Sequence, residues 1–92
     1  MEFKGTPGPW SHADSHGLNE TAGGAIHGDG KTLCLILGKG IGKEKATANA
    51  KLIAAAPDLL NALINLIEYW KLDETAEAHA AMIAINKALG RE

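Results

Sequence analysis

The spacing of apolar residues changes character near residue 43. Ahead of it, in AIHGDGKTLCLIL (residues 25–37), apolar residues flank an Asp29-Gly30 pair. That pair supplies the positive φ a tight hairpin turn needs, so the pattern predicts one strand near 22–28 and another near 31–37. Leu33, Cys34, Leu35, Ile36 and Leu37 run without alternation. Such a run predicts a strand buried on both faces, one toward the helices and the other toward a second subunit. Cys34, between two leucines, is expected to be a small buried hydrophobe. Thr6 to Pro9 cannot be helical, because Pro7 and Pro9 lack a backbone donor and push the residues before them to extended geometry. Trp10 is expected to open a further strand. Residues 14–24, DSHGLNETAGG, are polar and glycine-broken, as in a loop or an irregular strand end.

Beyond residue 43 the period is helical. In EKATANAKLIAAA (44–56), Ala48, Leu52, Ile53 and Ala56 are expected to form the buried stripe, with Lys45 and Lys51 facing water. Pro57 removes the bond to the Ile53 carbonyl, so the helix should stop or kink there. Proline also suits the first turn of a new helix, over about 57–71, where Asp58 complements the dipole. That second helix carries Leu59, Leu60, Leu63, Ile64, Leu66 and Ile67 together with Trp70, a stripe too wide for one neighbour. Asp73 is expected to cap a third helix with the apolar face Ala78, Ala81, Met82, Ile85 and Leu89, ended by Gly90. So short a link predicts an antiparallel pair. The expectation is therefore an α+β fold in one domain, 1–92. A small antiparallel sheet of two or three strands (1–42) precedes proline-broken helices (43–92).

Composition sharpens this. With 92 residues the chain can bury one modest core, and much of its 46 % apolar content is alanine, so self-association is expected to assist. A net charge of −2 gives no overall attraction to nucleic acid or anionic lipid. Locally, however, Lys39, Lys43, Lys45 and Lys51 face only Glu44. Cys34 is the single cysteine, which excludes an intrachain disulfide and suits a reducing compartment. MEFKGTPGPW lacks an apolar leader core, and no uninterrupted apolar run reaches the length of a membrane span. The expected location is the cytoplasm, with no membrane partner.

The lysine excess sits in LGKGIGKEK (37–45). A Walker loop is excluded, because only three residues separate Gly38 from Gly42 and Lys43 is followed by Glu44 where a hydroxyl is required. A strand, a glycine-rich loop and a helix start in that order still offer backbone donors and a positive dipole end to an anion. Lys39, Gly40, Gly42, Lys43 and Lys45 are the candidate ligand-binding residues, with Trp10 or a histidine, His12 or His27, stacking on a base. Trp10 can equally lock the first strand onto the core. His12, Asp14, His16 and His27 lack the compact spacing of known metal sites, so no metal and no cofactor is expected. Tyr69 and Trp70 suit a helix or subunit contact. Ser11 and Ser15 stand near histidines without an orienting acid or oxyanion hole, so catalysis is not expected.

ANAKLIAAAPDLLNAL (48–63), together with Gly8-Pro9-Trp10, resembles a widespread set of small phage and prophage proteins of uncharacterised activity that share a helix of the form ANAxLIAAAPDLLxAL and often an early GPW. The resemblance implies an accessory phage protein, and several families of this size counter bacterial defence. It says little about activity, since the shared residues are mostly packing residues; the GKGIGKEK segment departs from the family pattern. Two functions are expected from these readings combined. One is a non-enzymatic anti-defence protein that sequesters an anionic nucleotide signal, cyclic or linear, as a homo-oligomer. The other is a protein-binding inhibitor of a host defence component, in the manner of an anti-CRISPR.

Overall fold

The structure is a computed structural model that describes residues 2–14, 23–70 and 75–91. In chain order the elements are β1 (Trp10–Ala13), β2 (Gly24–Gly28), β3 (Lys31–Ile36), α1 (Lys43–Trp70) and α2 (Ala76–Ala88). The α+β class and the position of each expected strand hold. The polar segment expected as a loop lies mostly in 15–22, outside the described residues, as do His16 and Asp73.

The sheet is antiparallel in the order β1-β2-β3. β2 and β3 join through the expected hairpin, with Asp29 at φ 53 and Gly30 at φ 75. Pairing shifts by one residue between Ile26 and His27, because Ile26 faces Cys34 while His27 faces Thr32. Leu33 is the extra residue of that bulge. Partners in register share a face, so Trp10 and His12 stand with Gly28 and Ile26 on one side, while Ser11 and His27 stand on the other.

Two compact units divide the chain: Thr6–Pro57 forms one, and Asp58–Glu92 with Met1–Gly5 the other. In the first, Ile26, Ala46 and Ala50 are wholly buried and Pro57 is buried with them. Small residues make this contact possible. A methyl on Gly23 would lie 2.9 Å from the Ala46 carbonyl oxygen, and one on Gly8 would lie 2.9 Å from Cβ of Pro57. The expected stripe is thereby corrected. The helix turns Ala46, Ala50 and Ile53 inward, whereas Ala48 and Ala56 are exposed and Leu52 is 64 % exposed. The largest apolar residues lose to the smallest because backbone approaches backbone, and a leucine has no room there.

In the second unit, Ile64 and Ile67 of α1 form a cluster with Ala78 and Ile85 of α2, bordered by Leu60, Leu63, Ala81, Met82 and Leu89. The expected face of the last helix is borne out. Leu59 and Leu66 remain exposed, as the over-wide stripe required.

Two further expectations are corrected. α1 runs unbroken through Pro57. A mid-helix proline costs on the order of 3 kcal/mol, and Pro57 is itself buried, with Ala50 buried before it and Ile64 after it. The last helix is capped by Thr75, whose Oγ1 accepts from the Ala78 amide at 3.0 Å. Its end is as expected. Gly90 adopts φ 73, its amide reaches the Lys87 carbonyl at 3.1 Å, and the Arg91 amide reaches that of Asn86 at 2.8 Å. This is the Schellman arrangement.

β3 is not buried on both faces. It is the edge of the sheet, Cys34 is exposed and Leu35 is 57 % exposed. Of the five apolar residues in sequence, only Leu33 and Ile36 are half-buried.

Candidate functional site

The loop between β3 and α1 is built by its glycines. The Gly38 carbonyl accepts from the Ile41 amide at 3.2 Å and the Gly42 amide at 3.0 Å. Gly40 and Gly42 stand at φ 87 and 89, values that side chains rarely adopt. The Gly42 carbonyl then takes the Ala46 amide at 3.0 Å and starts the helix. Lys39 through Lys45 are all exposed on this corner.

Along α1 from that start lies a shallow depression of about 580 Å³ lined by Lys43, Glu44, Thr47, Ala48 and Lys51. Lys43, Thr47 and Lys51 fall four residues apart and so share one helix face. Of the lysines expected to converge, Lys43 lines this depression, whereas Lys39 and Lys45 do not. Thr47 and Lys51 were missed as candidates. The four-residue spacing from Lys43 is the available signal, and it belongs to the helix face and not to the glycine motif.

Trp10, His12 and His27 do not line the depression and do not come together. Trp10 is half-buried, donates from Nε1 to the Thr6 carbonyl at 3.1 Å, and packs against Gly28, where an added methyl would meet the indole at 2.7 Å. His12 Nε2 lies 2.7 Å from the Gly23 carbonyl and 3.9 Å from Asp14 Oδ1. A carbonyl only accepts, so Nε2 carries the proton and the ring secures the start of β2. His27, on the opposite face, pairs its Nδ1 with the Thr32 hydroxyl at 3.2 Å. Among the described residues no cluster of three or more His, Cys, Asp or Glu side chains is arranged to hold a metal.

The remaining surface is unusually apolar for so small a chain. Leu35, Leu37, Ile41, Leu52, Leu59 and Tyr69 are among the large apolar residues left exposed. By length and composition, α1 over Lys43–Tyr69 is also long and apolar enough to cross a membrane, with mean hydropathy 1.4 in its most apolar 18-residue window, of which 22 % is buried.

A three-stranded antiparallel sheet followed by two helices defines a small α+β protein. Over residues 1–92 the chain matches the family described as Salmonella phage P22 protein Y8K6, and it belongs to that family. No curated protein and no solved structure matches it.

Proposed function

We propose that this phage protein is non-enzymatic and acts in the host cytoplasm as a homo-oligomer, sequestering an anionic nucleotide signal and so countering host defence. The observation that carries the reading is the start of α1. Lys43 and Lys51 flank Thr47 in a depression beside an exposed glycine loop. Lysines in a first helical turn oppose the dipole by a few tenths of a kcal/mol each, a cost that a bound anion reverses. Phosphate would take the lysines and the hydroxyl. The base would stack on a group other than Trp10, His12 or His27, none of which lines the depression.

Thermal unfolding with a panel of cyclic and linear nucleotides tests this. A ligand at a hundred times its Kd adds about 2.7 kcal/mol, enough to raise the Tm by several degrees, and Lys43→Glu with Lys51→Glu should abolish the rise. A panel in which nothing shifts the transition sinks the reading.

The second reading, a protein-binding inhibitor of a host defence component, is favoured by the exposed apolar residues. Affinity capture from host lysate separates the two, since a nucleotide sponge recovers no stoichiometric protein partner. In both readings α1 packs within the folded protein through Ala46, Ala50, Ile64 and Ile67, with 22 % of its most apolar stretch buried, and does not cross a membrane.

A further inference from the structure

Two apolar rows run along α1. In the inward row, Ala46, Ala50, Ile53, Pro57, Ile64 and Ile67 are buried or half-buried. The other row starts two residues out of phase, which on a helix of 3.6 residues per turn is roughly the opposite face. There Leu52, Leu59 and Leu66 recur at seven-residue intervals, with Ala55, Ala62 and Tyr69 three places after each. This is the alternating spacing of a coiled-coil seam, and no charged residue interrupts it. Leu52, Leu59, Leu66 and Tyr69 are 48 to 77 % exposed, and Ala62 is exposed with them. A row of this period fits another helix, since a strand presents side chains at a period of two. The chain's other described helix, α2, is already engaged by Ile64 and Ile67 of the inward row.

We propose that the outer row of α1 is the seam of an antiparallel coiled coil between two copies of the chain. The proposal rests on the self-association in the reading above and names its surface. Charge sets the orientation. α1 begins basic, with Lys43, Lys45 and Lys51 against Glu44, whereas from Asp58 to Trp70 it carries Asp58 and Glu68 and no basic residue. Antiparallel copies set each basic start beside an acidic end, and parallel copies set like beside like. Size sets the register. With Leu59 opposite Ala62 of the second copy, Ala55 meets Leu66 and Leu52 meets Tyr69, so the four central layers each pair a leucine with an alanine. A slip of one heptad toward the helix start puts Lys45 into the seam opposite Tyr69 and brings Asp58 close to Asp58 of its mate. A slip the other way uncovers Leu52 and Ala55. The occupant is a second copy because the row complements itself in both size and charge.

This row is surface in the single chain, so the dilute chain folds without it and substitutions there are read in association. Light scattering of the full-length protein at tens of micromolar should give a dimer. Ala62→Glu should weaken it about a hundredfold or more by placing unpaired carboxylates in the seam, with an unchanged circular dichroism spectrum. Leu35→Lys, exposed on β3, should leave it intact. Should Ala62→Glu not fold, Leu59→Lys serves in its place. Orientation and register are read by a short bismaleimide on a Cys34→Ser background. It should join Ala55→Cys chains to Leu66→Cys chains and neither kind to itself, because like positions lie about 16 Å apart at 1.5 Å per residue. A dimer that survives the seam charge, fails to give the mixed cross-link or joins like chains overturns this interface while leaving self-association standing. A clean monomer, expected if the row meets a host protein or a lipid surface instead, overturns both and leaves nucleotide binding to its own thermal test.

Discussion

At the residue scale the protein rests on what its small side chains permit. Gly24 holds φ 86, and a methyl there would strike the Ala13 carbonyl. Gly24→Ala should cost more than about 2 kcal/mol, combining positive-φ strain with a backbone clash, as urea titration will show. Ala50 and Leu52 offer a paired comparison. Ala50→Leu forces extra carbons into a full space and should cost about 1 to 3 kcal/mol or more. Leu52→Ala removes a side chain that is 64 % exposed and should stay within about 0.5 kcal/mol. Urea midpoints falling in the opposite order would return the helix face to the one read from the sequence. That error has a physical origin. Amphipathic reading weights a residue by its apolar area, so Leu52 outranked Ala50, whereas the inward face carries alanines, Ala46 beside Gly23 and Ala50 wholly buried. The candidate site was legible in part for a similar reason. Lys43 was found through its glycine neighbours, but Thr47 and Lys51 belong to a helix face and not to a loop motif.

At the element scale, local signals sufficed where the determinant is local. The Asp29-Gly30 hairpin and the Gly90 stop depend on a few adjacent residues, and both stand where expected. Thr75 shows the limit. The sequence pattern points to a cap at Asp73, and the cap is Thr75, a capping residue as good, two positions on. Thr75→Ala should lower stability by about 1 kcal/mol, measurable as a lower urea midpoint. Pro57 departs from expectation because the rule for proline in a helix is local, while α1 carries buried residues both before and after it. The same helix has the length and hydropathy of a membrane span. Read as a core helix, it should leave the expressed chain in the aqueous fraction after sedimentation of host membranes, and recovery in the pellet, released only by detergent, would overturn that reading.

At the scale of the whole molecule, the thinness of the core is the governing fact. Among the described residues, Ile26 and Ile85 are the largest fully buried side chains, one in each compact unit. Neither unit has much hydrophobic surface to lose, so stability should rise with protein concentration if copies associate. Equilibrium unfolding at two concentrations a hundredfold apart checks this. Dimer linkage predicts a difference of about 2.7 kcal/mol in apparent stability, the RT ln 100 of mass action, and coincident curves would exclude it. The burial of β3 expected from its sequence is not found at this scale. Its five apolar residues read as a strand covered on both faces, whereas among the described residues Cys34, Leu35 and Leu37 stay exposed.

The close approach of Gly23 to the Ala46 carbonyl, and of Gly24 to that of Ala13, also sets how the protein would respond to random change. In a saturation library selected for folded chains, tolerance should run against side-chain size. Leu52 and Leu59, large and exposed, would accept most replacements. Gly23, Gly24, Ala46 and Ala50 would accept almost none, leaving the least conspicuous letters of the sequence as the ones the fold cannot spare.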